Sequence, residues 1–155
     1  MGESAVETTP LAGPSQVVRV ESIWESSYIE ALRHKWIASE AAGRDLGEAA
    51  ISQWLQHHWK GWCRERWIEH LCGKVCWAEF DNRDFAALAR KFAGERQILE
   101  SVLERIRAGS ENLDIVIWAC EEGIDTTQVI NILIIADINR LPLDHSRLLA
   151  GHFVA

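Results

Sequence analysis

The chain has 155 residues, 48% of them hydrophobic, which suits one domain with a real core, since a domain of this size hides roughly two-thirds of its unfolded surface. Its formal net charge is -7, so no global field draws it to phosphate backbones or anionic lipid, and nucleic acid is disfavoured as a partner. The longest strongly apolar run, Val129 to Ile138, is broken by Asn131 and Asp137 and is far below the roughly 20 residues of a membrane span.

The first 16 residues are small and polar, with two prolines and little that packs, which predicts a flexible N-terminal arm. They contain neither a basic n-region nor an apolar h-region. The four cysteines, Cys63, Cys72, Cys76 and Cys120, are therefore expected as reduced thiols in a cytoplasmic protein. Val17 to Val20 reads as a short extended segment. From Ser22 the pattern turns helical: Ser22 and Glu25 have capping-box spacing, and Ile23, Trp24, Tyr28, Ile29, Leu32, Trp36 and Ile37 recur at helical intervals. Gly43 should end this helix with a left-handed cap. Asp45 is placed to accept hydrogen bonds from the amides that open the next helix.

That second helix is expected from about Leu46 to Cys72, with Gly73 as its stop, and it concentrates four of the eight tryptophans: Trp54, Trp59, Trp62 and Trp67. A third amphipathic pattern runs from Phe85 to Gly109, with Gly94 able to bend it. LDIVIWA and VINILII are rich in β-branched residues and fit either helices or two buried strands. Glu121-Glu122-Gly123 reads as a helix end, and Thr126 or Thr127 as the cap of a last helix running to about Asn139, before Pro142. The expected fold is all-α: a single compact domain of about five helices, bundle-like or orthogonal, over residues 17–142, with the arm at 1–16 and a tail at 143–155.

Residues 34–47, HKWIASEAAGRDLG, are similar to a motif found in uncharacterised bacterial proteins that carry a domain of unknown function. The resemblance implies a bacterial origin and names no activity and no catalytic residue. On a helical projection Glu40 shares a face with Ile29, Leu32 and Trp36, while Arg66 and His70 fall amid Leu55, Trp59 and Cys63. An unpaired buried charge costs several kcal/mol, so Glu40 or Asp45 is expected to pair with Arg66 or Arg44 across the first two helices.

Chemical sites are poorly supported by spacing. Cys72 and Cys76 have zinc-compatible spacing near His70, but no second pair accompanies them. No Glu-x-x-His pairs suit a di-iron bundle, and no C-x-x-C-H site attaches haem. Cys63 or Cys76 with His70 lacks an oxyanion loop. No metal, cofactor or catalytic residue is therefore expected. Ala119, Gly123, Val129 and Ile132 match helix-turn-helix spacing, yet the second helix is apolar nearly all round and only Arg140 nearby is cationic.

Two functions remain in contention from the sequence. The first is a non-enzymatic interaction or regulatory module that binds a protein partner, or itself, through the face bearing Trp54, Trp59, Trp62 and Trp67. The second is a small-molecule or metal-binding domain, with or without an enzymatic activity, whose polar cluster comprises Glu40, Arg44, Asp45, Arg66 and His70 and centres on Glu40, Arg66 and His70. A DNA-binding helix-turn-helix ranks third.

Overall fold

The computed structural model describes residues 18–140 and 143, so the expected arm at 1–16 and the expected tail beyond Leu143 lie outside the described residues. The described residues form six α-helices: α1 (Ile23–Ala42), α2 (Glu48–Leu71), α3 (Ala87–Lys91), α4 (Arg96–Arg107), α5 (Asn112–Glu121) and α6 (Thr126–Ala136). Two very short strands, β1 (Val20–Glu21) and β2 (Cys76–Trp77), pair in parallel, Val20 with Cys76 and Glu21 with Trp77. The fold is the expected all-α domain.

The first two helices form an antiparallel hairpin whose turn is encoded in residues 35–47. Gly43 takes a left-handed conformation (φ 67°), and the amides of Gly43 and Arg44 donate to the carbonyls of Glu40 and Ser39, closing the end of α1. Ser39 Oγ then accepts from the Leu46 amide at 3.1 Å, and Asp45 Oδ1 accepts from the Gly47 amide at 2.9 Å. Lys35 Nζ reaches Asp45 at 3.7 Å across the turn. The other end of α1 differs from expectation. Ser22 and Glu25 form no capping box; Glu79, far along the chain, accepts from Ser22 Oγ at 2.5 Å and from the Ile23 amide at 2.8 Å. A carboxylate there satisfies an orphan amide and meets the positive end of the helix dipole.

The central spine is α2. Trp54, Leu55, Trp59, Cys63, Trp67, Ile68, His70 and Leu71 are all buried along it. Its tryptophans meet in the offset-stacked and edge-on arrangements that aromatic quadrupoles favour: Trp59 stacks with Trp24 at 6.0 Å and with Trp62 at 5.9 Å, and Trp54 stands edge-on to both Trp59 and Trp62. Two indole donors tie the spine to later segments, Trp59 Nε1 to the Leu143 carbonyl at 2.7 Å and Trp67 Nε1 to the Ala136 carbonyl at 2.5 Å.

The third amphipathic pattern is two helices, because the chain breaks between Phe92 and Glu95, around Gly94, before α4 begins. Leu99, Val102, Leu103 and Ile106 give α4 a fully apolar inner stripe. The β-branched segments resolve as α5 and α6. Buried residues recur at helical spacing, Ile115 and Ala119 on α5 and Val129, Ile132, Leu133 and Ala136 on α6, so packing against α4 and one another overrides β-propensity. Glu111 and Asp114 form a capping box on α5, Asp125 caps α6 by accepting from the Thr127 amide at 3.0 Å, and Asp137 in a left-handed conformation ends α6 earlier than expected.

Candidate functional site

The end of α2 builds a tightly ordered corner around His70. The ring is fully buried, accepting from the Trp77 amide through Nδ1 at 3.1 Å and meeting the Asp81 carbonyl with Nε2 at 2.9 Å. An amide must donate and a carbonyl must accept, so these partners assign the neutral tautomer with its proton on Nε2. Trp67 stacks on the imidazole at 6.0 Å, and Phe80 and Phe85 stand edge-on to it. The backbone carbonyl of His70 accepts from the amides of Gly73 and Ala86. His70 therefore pins the segment between α2 and α3, and both ring nitrogens are committed to backbone.

Gly73 and Ala86 meet in the same corner, and both hold a positive φ, 73° and 60°. A Cβ on Gly73 would lie 2.8 Å from the Ala86 Cβ. We expect Gly73→Ala to cost about 2–3 kcal/mol, from the clash together with left-handed strain on a residue bearing Cβ. Ala86→Gly should gain a few tenths to about 1 kcal/mol, and in the double variant it should remove the clash part of the loss. Urea unfolding of the four proteins measures this cycle; strictly additive effects would mean that the two backbones are not in contact.

Arg66 and Glu69 form the second polar group. Their side chains pair at 3.1 Å, Glu69 Oε2 accepts from Trp77 Nε1 at 3.2 Å, and the guanidinium lies over Trp62 at 5.2 Å. Burial pushes the Glu69 carboxyl up, against the opposing effects of the Arg66 charge and the Trp77 donor. A cleft of about 410 Å³ opens beside them, lined in part by Ile29, Trp62 and Trp77. Arg64 has a buried Nε without a partner, and no ion pair is formed by this residue among those described.

The polar cluster expected from sequence does not assemble. Glu40, Arg44 and Asp45 are exposed at the hairpin turn. Arg66 and His70 sit near the far end of α2, roughly 25 Å away along the helix. Asp45 pairs with Lys35 and Arg66 with Glu69, so neither expected cross-helix pair exists. Helix rotation misleads here because it assigns faces but says nothing of height along two antiparallel helices.

Two of the thiols are held in their protonated, poorly nucleophilic form. Burial pushes Cys63 up to about 12 and raises Cys72 as well. All four cysteines are free, and among the described residues no three His, Cys, Asp or Glu side chains gather where they could hold a metal. The helix-turn-helix spacing places Ala119, Val129 and Ile132 in the core as expected of that turn, but the outer side of α6 presents Ile130 and Ile134, not cations. No helix among the described residues is long and apolar enough to cross a membrane.

The tryptophans proposed for partner binding are also relocated. Trp54, Trp59 and Trp67 lie in the core and Trp62 is half-buried against Trp59 and Trp77, so of the four only Trp62 presents appreciable surface, in the cleft beside Arg66. Exposed apolar side chains occur on α5 and α6, and the largest group of them among the described residues lies on α1. Ile29 is 64% exposed, Trp36 65% and Ile37 50%, with Leu32 between them. The opposite side of α1, facing α2, carries Ile23, Ser27 and Ala31, all fully buried. Ile23 and Trp24 pack inward at the start of α1, but along its middle the large indoles of α2 fill the interhelical space, so Ser27 and Ala31 face inward and Ile29, Leu32, Trp36 and Ile37 outward. Helical projection had grouped Glu40 correctly with Ile29, Leu32 and Trp36, and that charge was the available sign that the face is wet.

Fold and surface together define an all-α domain with a tryptophan-packed hairpin and an uncovered apolar stripe on its first helix. Comparison with protein families, with curated proteins and with solved structures finds no match.

Proposed function

We propose that this protein is a non-enzymatic helical interaction module that docks a protein chain on the outer face of α1. The observation that carries this reading is the inverted packing of α1: Ile29, Leu32, Trp36 and Ile37 are exposed while Ser27 and Ala31 are buried. A contiguous apolar stripe centred on a tryptophan is the composition of an interface hot spot. Among residues 34–47, which resemble the bacterial motif, the hairpin turn employs Lys35, Ser39, Gly43, Asp45 and Gly47. Trp36, Ile37 and Glu40 have no such task in the described fold, which supports their use toward a partner. The four unpaired cysteines support a reducing, cytoplasmic location.

The test is a photoreactive benzoylphenylalanine placed in cells at position 36, at position 29, or at the exposed α2 position 53 as a control. Positions 36 and 29 are expected to yield the same discrete protein adduct and position 53 none. Cross-links confined to the protein's own terminal residues, or no adduct beyond the control, overturn the reading.

A further inference from the structure

We infer that the partner on the α1 face is a second copy of this chain, docked antiparallel about a two-fold axis passing between Trp36 and Ile37. The inference rests on the docking reading above and adds the occupant and its register. A two-fold interface must be self-complementary, so each residue on the stripe has to suit the residue that the axis brings opposite. With the axis at that point, the two Trp36 side chains meet beside it on one flank of the seam and the two Ile37 side chains on the other, all four exposed in the single chain. Arg33 faces Glu40 in both halves of the interface, two opposite-charge contacts generated by one pair of residues.

The charges on α1 are available for this. Arg33 is 67% exposed, and its one ion pair among the described residues is with Glu30, at 4.0 Å, the outer limit of such a pair. Glu40 is exposed and forms no ion pair among the described residues. A register shifted by one turn, with the axis between Leu32 and Arg33, would set Trp36 against Ile29 but bring Glu25 onto Glu40 of the second copy, like charge on like charge, in both halves. Exposed ion pairs add little affinity, whereas juxtaposed like charges select against a register. The apolar stripe supplies the binding and the charges choose the alignment. The overlap runs from residue 31 to 42, about three helical turns, and ends where Gly43 turns the chain away. The paired tryptophans at its centre are the kind of anchor that dominates small interfaces.

Sedimentation equilibrium of the full chain tests this. The mass is expected to rise from 17.6 kDa toward twice that value across the micromolar range. R33E and E40R should each weaken self-association tenfold or more, and Trp36→Glu should abolish it, with circular dichroism unchanged because all three side chains are exposed. Mixing R33E with E40R should restore a dimer that neither forms alone, since every facing pair is then again of opposite sign. A dimer disrupted by Trp36→Glu but indifferent to the charge reversals overturns the register. A wild-type chain that stays monomeric to hundreds of micromolar overturns the second copy as occupant. In that case an adduct between position 36 and a different protein in cells leaves the docking reading standing, and no adduct at all removes both.

Discussion

His70→Ala is expected to lower the stability of the domain by about 4 kcal/mol, moving the thermal midpoint down by roughly 10–20 °C. The ring meets two backbone groups, the Trp77 amide and the Asp81 carbonyl, and its loss leaves the buried amide unsatisfied, while the carbonyl keeps the Asp84 amide as a donor. The orphaned amide costs about 1–3 kcal/mol, and the space left beneath Trp67, Phe80 and Phe85 adds a cavity term of similar size. His70→Asn separates the two contributions. Its amide oxygen can replace Nδ1 as acceptor for the Trp77 amide but cannot reach the Asp81 carbonyl, so about half of the loss should remain. Denaturation followed by far-ultraviolet circular dichroism measures both variants. Full stability in His70→Ala would mean that the segment from Gly73 to Ala86 is held by something other than this ring.

Trp67→Ala should be comparably damaging, about 4–5 kcal/mol. The indole is buried, stands edge-on to Phe80 at 4.9 Å, stacks on His70, and donates to the carbonyl of Ala136 at the end of α6. Removing it opens a large cavity and leaves a helix-terminal carbonyl without its donor. Trp67→Phe keeps one six-membered ring and deletes the donor with the rest of the indole, with an expected cost of about 2–3 kcal/mol. The ratio of the two losses divides packing from hydrogen bonding. Equal losses in the Phe and Ala variants would contradict the burial of the indole. His70 and Trp67 touch, so their double variant should fall short of the sum of the singles.

Both residues stood out in the sequence, His70 as a site candidate and Trp67 as a partner-binding one, and the structure gives both to the core. The reason is the same in each case. A histidine or tryptophan on an apolar face needs a hydrogen-bond partner, and sequence cannot say whether that partner is backbone, side chain or ligand. Here it is backbone contributed by the loop after α2 and by the end of α6. Glu79 is the converse case. Nothing near it marks a cap, yet it closes the start of α1 because the pairing of β1 with β2 carries it there.

Local physical chemistry alone determined the helical character of the chain, the hairpin turn at Gly43 and Asp45, and the residues that share each helical face. Those features depend on groups within a few positions of one another, whose geometry the backbone dictates. Which face of α1 points inward was decided only by tertiary structure. Periodicity separates two sides of a helix without labelling them, and the choice followed from the volume of the α2 indoles, which left room opposite for Ser27 and Ala31 and turned Ile29, Leu32, Trp36 and Ile37 outward.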